Sequence, residues 1–285
     1  MKQINNILLL ILVQLILQTL FAAPQCIPFA PPVFNYNTSN YRAGNQNWSI
    51  SQDKNEIMYF ANNRGLLSFD GVNWNLHSLP NNRGVKSIYI DSDNKDSEKI
   101  YVGSFEEFGY FARDSANRLV YHSLKPFIAN YTFKNDEIWT ILEHNDKIHF
   151  QSFSSYFIYN NNTVTAHKTN PSPLFFFTLN NNLYGQLIKD GLFQFNGVDF
   201  KRITTREQVL DDELRNAIAN RVVSVSDSLF VIGTLNDGVY GINDKGKLKW
   251  HINRKNGLNN NTVLGLFKDF EGNLWVALDN GISNI

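Results

Sequence analysis

The segment Gly65-Leu66-Leu67-Ser68-Phe69-Asp70-Gly71 returns as Gly191-Leu192-Phe193-Gln194-Phe195-Asn196-Gly197, and looser copies begin at Gly109, Ser155, Gly238 and Gly281. These anchors lie 44, 46, 36, 47 and 43 residues apart, so the chain is a tandem array rather than one unique domain. Repeats of that length that each hold several short strands point to an all-β fold, a β-propeller of four-stranded antiparallel blades. A helical repeat would need long stretches with apolar residues at 3.6 spacing. The one such stretch is Glu207 to Ile218, where Leu210, Leu214 and Ile218 are four apart.

Each unit reads as four short strands separated by turn residues. The first runs Trp48 to Gln52, Ile57 to Ala61, Gly65 to Phe69 and Trp74 to Leu79; the second Val85 to Ile90, Ile100 to Gly103, Phe108 to Ala112 and Leu119 to Leu124. The third takes Ile138 to Leu142, Ile148 to Gln151, Tyr156 to Tyr159 and Thr163 to His167. The fourth takes Leu174 to Leu179, Leu183 to Gln186, Gly191 to Phe195 and Phe200 to Ile203. The fifth takes Val222 to Ser226, Leu229 to Gly233, Val239 to Ile242 and Leu248 to Ile252. The sixth begins with Val263 to Phe267 and Leu274 to Ala277 and stops at Ile285 inside its third strand. The repeats therefore supply about five and a half blades, an incomplete ring. Val33 to Tyr36 offers a donated closing strand, but about a blade and a half is missing from a seven-bladed ring, so open edges and self-association are expected.

The N-terminus reads as an address. Lys2 precedes an almost wholly apolar run from Ile7 to Leu17, and Ala22-Ala23 offers small residues for a peptidase. The expectation is a cleaved signal peptide over residues 1–22, a lead-in over 23–45 and propeller repeats over 46–285, with export to the periplasm or beyond. No second apolar run reaches membrane length. Lys plus Arg equal Asp plus Glu at 26 each, and no basic stripe appears, so nucleic acid is not an expected partner. The single cysteine, Cys26, excludes an internal disulfide framework and a Cys-based zinc site.

Three segments of the last repeat carry a resemblance: Gly257-Leu258-Asn259-Asn260-Asn261-Thr262-Val263, Asp269-Phe270-Glu271-Gly272-Asn273-Leu274-Trp275-Val276 and Asp279-Asn280-Gly281-Ile282. They closely resemble the two-component regulator propeller repeat. Gln46-Asn47-Trp48, Asp70-Gly71-Val72-Asn73-Trp74 and Glu107-Phe108-Gly109-Tyr110-Phe111 look like the opening of the periplasmic sensor regions of Bacteroidetes-type regulators. The resemblance covers roughly Gln46 to Ile285. It implies an extracytoplasmic ligand-sensing propeller that, in the family, precedes a triple-tyrosine domain, a membrane span and a histidine kinase or helix-turn-helix output. The chain stops before any of these, so the expected role is a sensing module that binds without transmitting.

Several constellations have bland readings. Glu271-Gly272-Asn273 turns a hairpin that Asp269 braces, and Trp275 packs between blades. Asp91-Ser92-Asp93-Asn94-Lys95-Asp96 has calcium-loop spacing but lacks the sixth-position glycine and sets Lys95 where an oxygen ligand belongs. His144 and His149 make a poor metal site without a third ligand, and no metal or cofactor is expected. His77, His122, His167 and His251 recur in outer strands, which favours a shared structural position.

Loops after the second strand of each blade and loops between blades gather on one face, around the channel. They nominate a ligand surface of Asn62, Arg64, Arg83, Glu106, Glu107, Tyr131, Asp136, Lys189, Asp190 and Asp237, suited to an oligosaccharide or another small polar ligand, or to a partner protein. The competing reading is a carbohydrate-active propeller enzyme, a glycosidase or lyase, with Glu106 and Glu107 as its carboxylates. Adjacent residues on an extended backbone point opposite ways, which speaks against joint action. No other catalytic constellation stands out, and the expectation is a non-enzyme.

Overall fold

The computed structural model describes residues 31–91, 99–168, 173–179, 182–187, 191–195, 200–202, 219–243 and 248–285. They form six four-stranded antiparallel sheets. Blade 1 is β2 (Asn47–Gln52), β3 (Met58–Asn62), β4 (Gly65–Phe69) and β5 (Trp74–His77); blade 2 is β6 (Ser87–Asp91), β7 (Lys99–Ser104), β8 (Glu107–Arg113) and β9 (Leu119–Ser123). Blade 3 is β10 (Thr140–His144), β11 (Lys147–Gln151), β12 (Ser155–Asn160) and β13 (Thr163–Lys168). Blade 4 is β14 (Pro173–Leu179), β15 (Asn182–Leu187), β16 (Gly191–Phe195) and β17 (Phe200–Arg202). Blade 5 is β18 (Ala219–Ser226), β19 (Leu229–Thr234), β20 (Val239–Asn243) and β21 (Leu248–Ile252). The strands match the repeat reading nearly residue for residue. The helix expected over Glu207 to Ile218 and the loop from Ser92 to Asp96 lie outside the described residues.

In the sixth blade, β22 (Val263–Lys268), β23 (Leu274–Leu278) and β24 (Ile282–Asn284) come from the last repeat, and β1 (Phe34–Tyr36) is the fourth strand. Phe34, Asn35 and Tyr36 sit opposite Asn284, Ser283 and Ile282. The edge of β24, expected to stand open, is therefore paired with β1. Asn35 locks the register: its Nδ2 donates to the Gly257 carbonyl at 2.7 Å and its Oδ1 accepts from Ser283 Oγ at 2.5 Å. A one-turn helix, Thr38–Tyr41, then carries the chain from the outer edge of blade 6 to the inner strand of blade 1. Asn37 and Asn40 cap it reciprocally, at 3.0 Å to the Ser39 amide and 2.9 Å from the Asn37 amide.

The core lies between blades, because second and third strands such as β3 and β4 bury both faces. Tyr59, Ala61 and Leu66 of blade 1 pack with Ile88, Ile100, Val102 and Phe111 of blade 2. The opposite face of blade 1, Ile50, Phe60, Leu67 and Phe69, packs with Trp275, Ala277 and Ile282 of blade 6. Tyr101 and Phe108 join Phe150 and Phe157 between blades 2 and 3, and Leu142, Tyr156 and Leu183 join blades 3 and 4. Val231 and Val239 meet Val263 and Val276 between blades 5 and 6. First and last blades are thus neighbours, with β2 packed against both β6 and β22.

Candidate functional site

The first strands of the blades pack against one another around the axis, and in blades 1, 5 and 6 the start of that strand is irregular. The β2–β3 register slips between Asn47 and Ile50, β18–β19 between Ala219 and Arg221, and β22–β23 between Val263 and Gly265. A bulge at a strand end re-aims the residue it carries. The residues at these slips, Trp48, Asn220, Arg221 and Leu264, line an axial cavity of about 160 Å³ together with Trp139, Thr140, Phe153 and Leu235. Four blades contribute, the first, third, fifth and sixth.

One wall is aromatic. Trp48 and Trp139 meet edge to face with ring centroids 5.5 Å apart, and Phe153 lies 5.6 Å from Trp139. Lys86 Nζ sits 3.7 Å from the Trp48 ring centre, a cation–π contact, and pairs with Glu137 at 3.5 Å. Burial pulls the Lys86 ammonium below its ordinary pKa, and the Glu137 carboxylate partly restores it. Asn63 Oδ1 accepts from Trp48 Nε1 at 2.7 Å, which fixes that ring. Trp139 Nε1 is buried and has no hydrogen-bond partner among the described residues.

Blade 5 brings Arg221 to the same cavity. Its Nη1 donates to the Asn220 carbonyl at 2.9 Å and to Asn220 Oδ1 at 3.2 Å, while Asn220 Nδ2 donates to the Val263 carbonyl at 2.9 Å. Among the described residues no carboxylate lies within ion-pair reach of it. Burial lowers its pKa, with no neighbouring charge contributing.

The loop residues nominated from sequence are placed differently. Asn62 is fully buried, donating to the Gly44 carbonyl at 2.6 Å and Asn47 Oδ1 at 2.8 Å and accepting from the Gly44 and Arg64 amides. Asp136 is buried too, accepting from Tyr131 OH at 2.8 Å, Ser152 Oγ at 2.9 Å, Ser154 Oγ at 2.7 Å and the Lys134 amide at 3.0 Å. Burial alone would raise its pKa, but those donors outweigh it and hold the carboxyl below its ordinary value. Tyr131 is pushed up to about 12, chiefly by burial and also by Asp136.

Glu106 and Glu107 engage different partners, although Glu106 stands in a turn at φ +49 and not on the extended backbone expected. Glu107 accepts from Tyr121 OH at 2.9 Å and Ser123 Oγ at 2.7 Å, whereas Glu106 accepts from the Asn135 amide at 2.9 Å. Asp237 binds Tyr240 OH at 2.5 Å and Asn253 Nδ2 at 3.0 Å. Arg83 donates to the Phe105 carbonyl, and Arg64 is exposed. Lys189 and Asp190 lie outside the described residues. None of the nominated residues that are described lines the axial cavity. The signal for those that do was the repeat itself: Trp48, Trp139, Arg221 and Leu264 stand at or just before equivalent first strands.

Residues 257–280 match the model of the two component regulator propeller. No curated protein matches the chain in sequence. Among solved structures, the extracellular domain of a B. thetaiotaomicron protein named as the hybrid two component system BT4673 superposes with a TM-score of 0.66 at 18% identity, over 90% of this chain and 39% of that one. The corresponding domain of BT3049 gives 0.51 at 15%, over 90% and 42%. The chain thus spans about two fifths of the length of these domains. Virginiamycin B lyase from Staphylococcus aureus shares the fold at a TM-score of 0.56 and 11% identity, over 88% of this chain and 98% of that one. The chain thus has the β-propeller fold of those extracellular domains, and residues 257–280, which include part of its sixth blade, match the two component regulator propeller repeat.

Proposed function

We propose that the chain is the ligand-sensing propeller module of an exported signal-transduction regulator, and that it binds a small ligand at the channel mouth without catalysing a reaction. The observation that carries this reading is the axial cavity, walled by Trp48, Trp139 and Phe153 and built from four blades. A ligand seated there touches blades far apart in sequence, which is what a sensor needs if occupancy is to alter the whole ring. The matched domains are extracellular, and among the described residues no helix is long and apolar enough to cross a membrane. Export through cleavage near Ala22 accords with both.

The chain from residue 23 onward, titrated with monosaccharides, sugar acids and oligosaccharides, is expected to change its tryptophan emission, and Trp139→Ala to abolish that change. Turnover of any of these compounds, lost on Glu106→Gln or Glu107→Gln, would overturn the reading in favour of an enzyme. Absence of binding across every ligand class would overturn it as well.

A further inference from the structure

Arg221 has a donor edge that the protein leaves unused. Among the described residues only Nη1 of its guanidinium is hydrogen-bonded, to Asn220, and Nε and Nη2 have no acceptor there. These two N–H groups form the fork that matches the two oxygens of a carboxylate. Lys86, the other cation near the cavity, is already matched by Glu137 and Asn63. A half-buried charge without a counter-ion costs free energy, and a ligand that brings the anion removes that cost. The remainder of the lining is largely apolar or aromatic, Trp48, Trp139, Phe153, Leu235 and Leu264, with Thr140 as a further polar group. Such walls stack on the face of a ring rather than hydrogen-bond along a chain. A cavity of about 160 Å³ has room for a single ring.

Resting on the reading of this cavity as the ligand site, we infer that it takes a single ring bearing a carboxylate, the carboxylate on the Nε–Nη2 edge of Arg221 and the ring against Trp139. The shared chemistry is the ring acid, which a sugar acid and an aromatic acid both supply. The local bulge at Asn220 is what turns Arg221 to the cavity, since in a regular ladder the pairing of Ala219 and Arg221 would not skip a residue.

The test is a set of calorimetric titrations of the exported chain at neutral pH with D-glucuronate, benzoate, D-glucose and acetate. Glucuronate or benzoate is expected to bind at least tenfold more tightly than glucose and acetate, and whichever is tighter identifies the ring as hydroxylated or aromatic. Arg221→Gln should weaken that binding roughly ten- to hundredfold, the usual effect of a lost charge-assisted pair, and Arg221→Lys should restore only part of it. The unliganded Arg221→Gln protein should melt no lower than wild type, because the change removes an unpaired charge, so lost binding would not reflect unfolding. Equal binding of glucose and glucuronate, unchanged by Arg221→Gln, overturns the inference and leaves the ligand-sensing reading standing. Failure of all four to bind overturns the inference, and extension of that failure to neutral oligosaccharides overturns the sensing reading too.

Discussion

Asp53 and Asp269 end the inner strands of blades 1 and 6 and hold their hairpins in the same way. Asp53 accepts from the Asn55 amide at 2.9 Å, the Ile57 amide at 3.0 Å and Tyr59 OH at 3.0 Å; Asp269 accepts from the Asn273 amide at 2.8 Å and Trp275 Nε1 at 2.8 Å. In both, an aromatic six residues on gives its polar tip to the aspartate and its ring to the space between blades. Trp275 is buried against Tyr36, Phe60 and Phe69, at centroid distances of 5.9, 5.6 and 6.1 Å. Trp275→Ala should therefore cost about 3–5 kcal/mol in denaturant unfolding, and an unchanged midpoint would refute the packing role. His149 sets a second expectation. Burial first, then the neighbouring His144, lowers its pKa from 6.5 to about 4. The unfolded chain then binds a proton that the folded chain refuses between those values, so stability falls as pH drops from 6.5 towards 4, by roughly 3 kcal/mol at most. His149→Leu should flatten that part of the pH–stability curve, and an unaltered slope would assign the loss elsewhere. Residue types were legible in the sequence here, but not which polar atoms the turns already engage; Asn62, Glu107 and Asp136 looked like ligand groups and are bonded within the fold.

At the scale of the strand, the repeat's glycine anchor has a steric cause. Gly238 opens β20 at φ +75, and a Cβ there would lie 2.3 Å from the Ile252 carbonyl of β21; at Gly65 the same atom would lie 2.4 Å from the His77 carbonyl. Third and fourth strands can pair that closely only without a side chain. Gly238→Ala should destabilise the chain by about 2 kcal/mol or more, combining left-handed strain with the clash, whereas Gly272→Ala, at φ +94 in open space, should cost only its strain of about 1 kcal/mol. Equal losses for the two in thermal unfolding would contradict this. The recurrent outer-strand histidines also gain a reason, since His122, His167 and His251 stack on Tyr110, Tyr156 and Tyr240 directly opposite on the third strand, at 5.1, 4.7 and 4.0 Å. Alternation and turn residues made these strands readable because they are local signals. The inner-strand bulges were not readable, because a register slip depends on which residues of the second strand fit opposite, and nothing in the linear pattern marks it.

At the scale of the molecule, ring closure and the axial cavity are one problem. The cavity walls come from blades 1, 3, 5 and 6, and blade 6 is held to blade 1 through the cluster of Tyr36, Tyr41, Phe60, Phe69 and Trp275. Tyr36 belongs to β1, which also pairs with β24, so three residues at the start of the described chain fasten its last strand and its first blade together. Removing residues 23–36 touches no cavity-lining side chain. It nevertheless strips β24 of its partner, exposes the Trp275 and Phe69 rings, and loosens the contact of β2 with β22, which carry Trp48 and Leu264. Such a variant should retain β-sheet circular dichroism, gain a tendency to associate through the bared β24 edge, and lose the ligand response of Trp48 and Trp139. Light scattering and tryptophan titration on the shortened and full chains would measure both effects together. A shortened chain that stays dispersed and binds as tightly as the full one would mean that β1 is an ornament of the sixth blade, and that blades 1 and 6 keep the cavity in shape through their own interface.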